Sequence, residues 1–328
     1  MASVGEGAGQ TRNDYYTLST AWARPLAMGG AFMAVEDHLP ALLYNPANFS
    51  LYRDPTVRRF TMFFNPMGFA AAVRRSEELH GHETFGKEEL ATALELLIRG
   101  VGYSTQAFSF AALFGEEAPL QQVSERDRWL SASHYAANQY SLLAGSAHFA
   151  DRVAIGASVG LYYMDGVPGR RWKIGSSYGV TLRSSNNIRV GISYWSFPED
   201  MRDYRAHPER IVNEAMNLGI AYSTPFGLLL SMDLRNLGEE SRPPLRELHF
   251  GVEQNVVPWV ALRGGFFQDR LEGHGVWNAG LALIDQNLWR SARLRTSQPD
   301  WVVQYGTSIE KQGAATVYSH ALTFLIRL

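Results

Sequence analysis

The chain has 328 residues, a formal net charge of −2 and a hydrophobic fraction of 46%, which is enough for one large domain or two ordinary ones. The near-neutral charge gives no electrostatic reason to expect a nucleic-acid partner. The absence of cysteine excludes disulfide frameworks, thiolate nucleophiles and cysteine-ligated metal sites.

The N-terminus, residues 1–10, is rich in glycine and has neither the basic region nor the apolar stretch of a signal peptide. No run of the sequence reaches the roughly 18–20 apolar residues that a membrane-spanning helix needs. Two cases are therefore open: a soluble protein, or an envelope protein whose signal peptide has been removed. The strand pattern of the remaining chain favours the second case.

A segment rich in alanine and glycine precedes the predicted strands. It reads ARPLAMGGAFMAVED from Ala23 to Asp37, and YNPA follows from Tyr44 to Ala47. Gly29 and Gly30 permit close approach of the backbone, and the Asn-Pro pair is a turn signal that stops a helix.

The strands predicted before residue 137 are the least regular ones, and they are Val57–Asn65, Gly68–Ser76 and Tyr103–Phe114. Leu90, Leu94 and Leu97 fall at helical spacing between the last two of these strands. This spacing predicts one short amphipathic helix over Gly86–Arg99.

From Gln139 onward, apolar residues alternate with small or polar ones. In Arg152–Met164, for example, Ile155 and Val159 lie on one face and Ala154 and Ser158 on the other. This period of two predicts eleven further strands: Gln139–Phe149, Arg152–Met164, Ile174–Ser184, Asn187–Phe197, Glu214–Thr224, Phe226–Asn236, Arg246–Asn255, Pro258–Gln268, Val276–Ile284, Trp301–Ile309 and Tyr318–Leu328.

The connections between these strands alternate between short and long. The short ones are Phe149–Arg152, Ser184–Asn187, Thr224–Gly227 and Asn255–Pro258. Alternation of this kind is typical of outer-membrane barrels, which have tight periplasmic turns and longer external loops. A soluble sandwich would have the same strand pattern, but the loop lengths favour an all-β, transmembrane antiparallel barrel of about fourteen strands. The long connection Asp285–Asp300 departs from the rule.

Residues 15–49 have no lipid-facing period, and irregular backbone is tolerated at membrane depth only inside protein or in a wet cavity. We therefore divide the chain into an N-terminal extension with a luminal hatch, residues 1–56, and a barrel, residues 57–328. The hatch residues are Arg24, Pro25, Met28, Gly29, Gly30, Asn45, Pro46 and Ala47.

Charged residues on the predicted inner faces must pair, because an isolated charge in a narrow lumen is costly. Glu253 and Arg263 lie on neighbouring strands, so an ion pair between Arg263 and either Glu253 or Asp233 is expected. The predicted luminal ion network consists of Arg189, Asp233, Arg235, Glu253 and Arg263. It either fills the barrel structurally or forms a charged constriction that selects cargo.

No motif of covalent chemistry is present in the sequence. The stretch His80-Gly81-His82-Glu83 lacks the spacing of a helical zinc site and is interpreted as a solvated loop. The pattern Gly-x-Ser-x-Gly occurs twice, at Gly156–Gly160 and Gly175–Gly179, but both stretches lie inside predicted strands and not at the strand-to-helix turn of a nucleophile elbow. We therefore expect no enzyme, no metal and no cofactor.

The N-terminal motif resembles the start of the FadL-like outer-membrane proteins, which include long-chain fatty acid transporters and the PorV-type barrels of type IX secretion. The stretches MNLGIAY, LLLSMDLRNL and HFGVEQNVVPWVALRGGF look like the PorV-like branch. The resemblance covers most of the chain and implies a fourteen-stranded barrel whose N-terminal segment lies in the lumen. Two features differ from the family: the chain ends in Leu328, not in an aromatic residue, and the loops are short for a fatty acid transporter.

Three functions remain open on the sequence alone. The leading hypothesis is passage of hydrophobic or small molecules across the bacterial outer membrane. The others are docking of a secretion or cell-surface partner and a structural role in an envelope assembly. The expected partners are outer-membrane lipid, a hydrophobic small-molecule cargo and a secretion or envelope protein.

Overall fold

The computed structural model of this chain is a closed antiparallel β-barrel of fourteen strands. The structure describes residues 12–16, 22–37, 39–49, 59–66, 87, 90, 94, 97–105, 107–116, 138–149, 152–164, 171–196, 214–237, 246–257, 259–268, 275–283, 300–312 and 315–327. No helix among them is both long and apolar enough to cross a bilayer.

A short strand β1 and a helix α1 come first along the chain, and the barrel strands β2–β15 follow. Their bounds are β1 Arg12–Tyr16, α1 Ala23–Ala27, β2 Arg59–Phe64, β3 Ile98–Ser104, β4 Phe108–Glu116, β5 Asn138–Phe149, β6 Val153–Met164, β7 Arg171–Arg183, β8 Ile188–Ser196, β9 Glu214–Ser223, β10 Leu228–Arg235, β11 Glu247–Val257, β12 Val260–Gln268, β13 Gly275–Leu283, β14 Asp300–Gln312 and β15 Ala315–Arg327.

The ring closes where β15 meets β2. Each strand from β2 to β15 pairs with the next, and β15 then pairs with β2 over Phe324–Arg327. Near the N-terminal end of β15, residues 316–320 pair in parallel with β1. Closure gives each barrel strand two neighbours, which removes the free edges that a bilayer does not tolerate.

The two faces of the wall differ in polarity as the alternation predicts. Ile155 and Val159 on β6 are exposed, whereas Ala154 and Ser158 on the same strand are buried. Residues predicted to face outward on other strands behave alike: Ile192, Leu218 and Leu230 are exposed, and Val153 and Val260 are half-buried. The outer surface is therefore the apolar band of a membrane barrel, and the predicted fold class is confirmed.

The N-terminal part of the wall differs from the prediction. The strand predicted over Tyr103–Phe114 is wrong: this stretch contains the end of β3, a tight turn and most of β4. Thr105 makes the turn, because its hydroxyl accepts a hydrogen bond from the Phe108 amide at 3.1 Å. A threonine turn of this kind carries no glycine or proline signal.

The predicted helix over Gly86–Arg99 is too long at its C-terminal end. Residues 87, 90, 94 and 97 are helical, but Ile98 and Arg99 belong to β3. The strand predicted over Gly68–Ser76 and the loop His80–Glu83 lie outside the described residues.

We predict that an arginine at the middle of the outer face destabilises the barrel. Val159 lies near the middle of β6 and is 55% exposed, so Val159→Arg should lower the free energy of unfolding by about 2–4 kcal/mol. The measurement is denaturant-induced unfolding in lipid vesicles. Phe226→Arg in the β9–β10 turn, closer to the membrane surface, is the control and should cost about 0–1 kcal/mol. Equal costs at the two positions would contradict the assignment of the outer face.

Candidate functional site in the barrel lumen

The residues Trp22–Phe49, which we call the luminal segment, lie inside the ring. The segment contacts strands on opposite sides of the barrel, including β3, β6, β7 and β14. Its described residues are buried, with the single exception of Glu36. An irregular chain that touches most of the wall and is shielded from solvent fills the cross-section of the lumen.

The segment begins with the short helix α1, which the sequence ends abruptly. Pro25 lies in the first turn of α1, where a missing amide costs nothing. Gly29 and Gly30 then take positive φ angles of 61° and 71°, and the Gly30 amide donates to the Pro25 carbonyl at 2.9 Å. Glycine adopts such angles without strain, so the chain reverses directly behind the helix.

The YNPA stretch forms a short 3₁₀ helix, Pro46–Asn48, capped by Asn45. The Asn45 side chain accepts a hydrogen bond from the Ala47 amide at 3.0 Å and donates to the Met33 carbonyl at 2.9 Å. It also donates to the Thr181 hydroxyl of β7 at 3.1 Å. One asparagine thus caps a helix, ties two parts of the luminal segment together and attaches both to the wall.

Four buried charges join the luminal segment to β11 and β12. Arg24 binds both carboxylate oxygens of Glu253, at 2.8 and 2.7 Å, and also lies 2.9 Å from Asp37. Arg263 binds the same Glu253 at 2.5 Å. The pair predicted between Arg263 and Glu253 is therefore present, and Arg24, which we predicted as a hatch residue, belongs to the same network. Its charges balance, with two arginines against two carboxylates.

A second group of wall side chains forms hydrogen bonds with backbone amides and a carbonyl in and after the glycine turn. The amides of Phe32 and Met33 donate to one carboxylate oxygen of Asp233, at 2.6 and 2.9 Å. Arg235 donates to the Gly30 carbonyl, and its guanidinium lies over the rings of Tyr44 and Trp195, at 5.3 and 5.8 Å. Asp233 and Arg235 are themselves 3.8 Å apart.

His249 was not predicted as part of the site. Its Nδ1 lies 2.7 Å from the Gly29 carbonyl, and its ring stacks on Phe267 at 4.6 Å. The alternation placed His249 on the inner face, but only the structure shows that it contacts Gly29.

Arg189 belongs to a third, separate group. Arg183 and Arg189 lie opposite each other on β7 and β8, and the carboxylate of Glu36 binds both, at 2.5 and 3.2 Å. The predicted network is therefore three clusters, each holding a different part of the luminal segment. Among the described residues no group of three or more histidine and acidic side chains could hold a metal ion.

Glycines on the inner wall let the luminal segment approach the strands, and sequence reasoning did not assign them this role. A Cβ on Gly191 or Gly265 would overlap the backbone of Met33 or Met28. The signal was present as glycine recurring on the small face of successive strands. A Cβ on other inner-wall glycines would meet backbone or side-chain atoms of the luminal segment, and these glycines are Gly102, Gly156, Gly179, Gly219, Gly251, Gly280 and Gly306.

The inner wall has an apolar side and a charged side. Large apolar side chains face the segment from neighbouring strands of one arc: Phe63 on β2, Leu113 on β4, Leu142 on β5, Val302 on β14 and Leu325 on β15. We call this set the apolar arc. The buried charges of the wall lie mainly on β10–β12, with Arg99 and Glu310 as exceptions, and the half-buried Arg183 and Arg189 lie on β7 and β8. This side also carries three large apolar side chains, Trp195, Leu229 and Phe267.

Solved structures share this architecture. The Pseudomonas putida toluene transporter TodX aligns over 96% of this chain and 99% of its own, with 11% sequence identity and a TM-score of 0.50. A TodX deltaS2S3 mutant, a monoaromatic hydrocarbon channel, aligns over 94% and 97% at 12% identity, also with a TM-score of 0.50. No family model and no curated protein matches the chain. At these identities the similarity shows the fold alone, and it gives no support to the PorV-like branch that the strand patterns favoured.

We predict that Arg263→Leu lowers the free energy of unfolding by about 3–5 kcal/mol, because it leaves an unbalanced negative charge in a buried network. The measurement is denaturant-induced unfolding monitored by tryptophan fluorescence. The double variant Arg263→Leu/Glu253→Gln removes one charge of each sign and should recover part of the loss. An unchanged stability of Arg263→Leu would show that water solvates the network.

We predict that alanine substitutions at two adjacent glycines of β12 differ in their effects on stability and protease sensitivity. In Gly265→Ala the new methyl group overlaps the Met28 and Gly29 backbone. In Gly264→Ala it makes ordinary contacts, with a Val252 methyl group at 3.4 Å and the Asn278 carbonyl at 4.0 Å. Gly265→Ala should cost about 1–3 kcal/mol through overpacking and make the luminal segment accessible to protease. Similar protease sensitivity of the two variants would contradict the close packing.

Proposed function

We propose that this protein is a bacterial outer-membrane channel through which hydrophobic small molecules pass, and that it carries out no covalent chemistry. The fold that it shares with TodX, which is named as a toluene transporter, supports this assignment. We also propose the division into an N-terminal extension with a luminal hatch, residues 1–56, and a barrel, residues 57–328. The luminal segment then closes the pore until cargo passes.

The observation that carries the proposal is the apolar arc. Leu39 of the luminal segment packs against β3 at Gly100 and Gly102, and Phe49 contacts the same Gly102. The Trp22 ring packs against the Phe63 ring at a tilt of 32°, with ring centroids 3.7 Å apart. Apolar contacts exchange readily for other apolar contacts, because they have no directional requirement. A hydrophobic molecule can therefore replace these side-chain contacts. The strands of this side also hold the backbone of the luminal segment, where Ser146 donates to the Phe49 carbonyl and Thr323 accepts from the Ala23 amide.

The charged side resists such exchange. Opening a gap at Glu253 would separate buried ion pairs, and at Asp233 it would strip two amides of their acceptor, both of which carry large penalties. The proposed role of the hatch residues and of the luminal ion network is to keep this side closed. Hydrophobic cargo then passes between the luminal segment and the apolar arc.

The first experiment tests passage itself. Gram-negative cells that make the full chain should take up radiolabelled toluene faster than cells carrying the empty vector. Vesicles that contain the purified protein should not become permeable to a sugar of similar size, because a polar molecule cannot replace apolar contacts. Toluene uptake equal to that of the vector control would reject the channel function.

The second experiment tests the route with disulfide locks, which the cysteine-free chain allows without background. In Leu39→Cys/Gly102→Cys the bond closes the apolar side, where a Cβ on Gly102 lies 2.9 Å from a Leu39 methyl group. In Met28→Cys/Gly251→Cys it closes the charged side, where the two Cβ atoms are 3.1 Å apart.

Oxidation should stop toluene uptake in the first variant and leave it unchanged in the second. Reduction should restore uptake in the first. Gel mobility verifies that each bond has formed. A block by the second lock but not by the first would place the route on the charged side.

A further inference from the structure

Glu36 is exceptional within the luminal segment. It is the one described residue of that segment that is not buried, and its side chain is 17% exposed. Its partners Arg183 and Arg189 are exposed to a similar degree, 17% and 18%. By contrast, the side chains in the Arg24–Glu253–Arg263 network are at most 8% exposed. Arg183 ends β7 and Arg189 lies at the start of β8, so Glu36 lies at the turn end of these two strands.

The two arginines form a site for an anion. They lie directly opposite each other on antiparallel neighbours, where like charges repel. One oxygen of Glu36 binds Arg183 and the other binds Arg189, so the carboxylate bridges the two guanidinium groups. Ser223 holds Arg189 from the side, accepting from its second nitrogen at 2.6 Å. Ser223 thus orients Arg189 independently of Glu36.

Glu36 is also an ionic link that solutes can replace. With its carboxylate the cluster carries a net charge of +1, and without it +2. At 17–18% exposure, this cluster is more accessible to water and ions than the pairs of Arg24 and Arg263, so salt screens it more. A planar group with two oxygens fits two guanidinium groups well.

We propose that Arg183 and Arg189 form a binding site for a small carboxylate anion, and that Glu36 occupies this site in the closed state as an internal competitor. A free carboxylate that takes the place of Glu36 releases this part of the luminal segment from the wall. The site goes beyond the passage of hydrophobic cargo, because its ligand is a charged solute at the turn end of the lumen and regulates closure.

Binding is tested with sodium acetate on the purified full chain by isothermal titration calorimetry. Glu36→Gln keeps the shape and removes the competing charge, so acetate should bind at least about tenfold more tightly than to the unmodified protein. Glu36→Gln/Arg189→Gln should lose this affinity. If Glu36→Gln does not fold, Arg183→Gln serves instead and should bind acetate more weakly than the unmodified protein. Equal acetate affinity of the unmodified and tested single variant would overturn the proposal.

Release is tested by cysteine labelling, again without background thiols. Val35→Cys, adjacent to Glu36 and buried, should react severalfold faster with a membrane-impermeant maleimide when acetate is added. Ala27→Cys, held behind the Arg24–Glu253 network, should not respond. Sodium chloride at the same ionic strength and neutral acetamide are the solute controls. Equal acceleration by chloride would reduce the effect to salt screening, and no acceleration by acetate would also reject the site.

Discussion

An irregular chain inside a membrane barrel has to find partners for its backbone polar groups, and this requirement organises the lumen. No water of the bulk phase reaches most of the luminal segment, so the wall supplies the partners. Asp233 accepts from two consecutive amides, and Arg235 and His249 meet the carbonyls of the glycine turn. The charges of β10 and β11 are thus arranged around the path of one backbone.

The regular part of this structure could be predicted because the alternation of each strand is visible in its own residues. A period of two fixes which residues face inward, and neighbouring strands bring Arg263 opposite Glu253. The Arg24–Glu253 contact joins residues 229 positions apart through a segment without periodicity, so no local pattern encodes it. The β3–β4 turn was missed because Thr105 shapes it through a hydroxyl, without a glycine or proline. The glycines of the inner wall were visible, but their role depends on the chain that lies against them.

In the proposed route, the charged side of the wall stabilises the luminal segment and the apolar arc lets cargo pass. On the charged side, hydrogen bonds and ion pairs that depend on one another hold the luminal segment. On the apolar arc, individual van der Waals contacts hold it, and each can be replaced separately. At Glu36 the anchoring is ionic but accessible, which sets it apart from both. A closed lumen and a permeable one can thus differ by a local displacement, with the barrel and most of its anchors unchanged.

The closing pair of the ring also has a kinetic consequence. β2 and β15 come from opposite ends of the chain, and their contact spans only four residue pairs. Pairings between distant residues form slowly, because a long loop must be ordered first. The luminal segment precedes β2 along the chain and lies inside the finished ring, so it has to be in place when β15 meets β2. The barrel therefore assembles around the luminal segment, and the contact that seals the ring is also the step that encloses it.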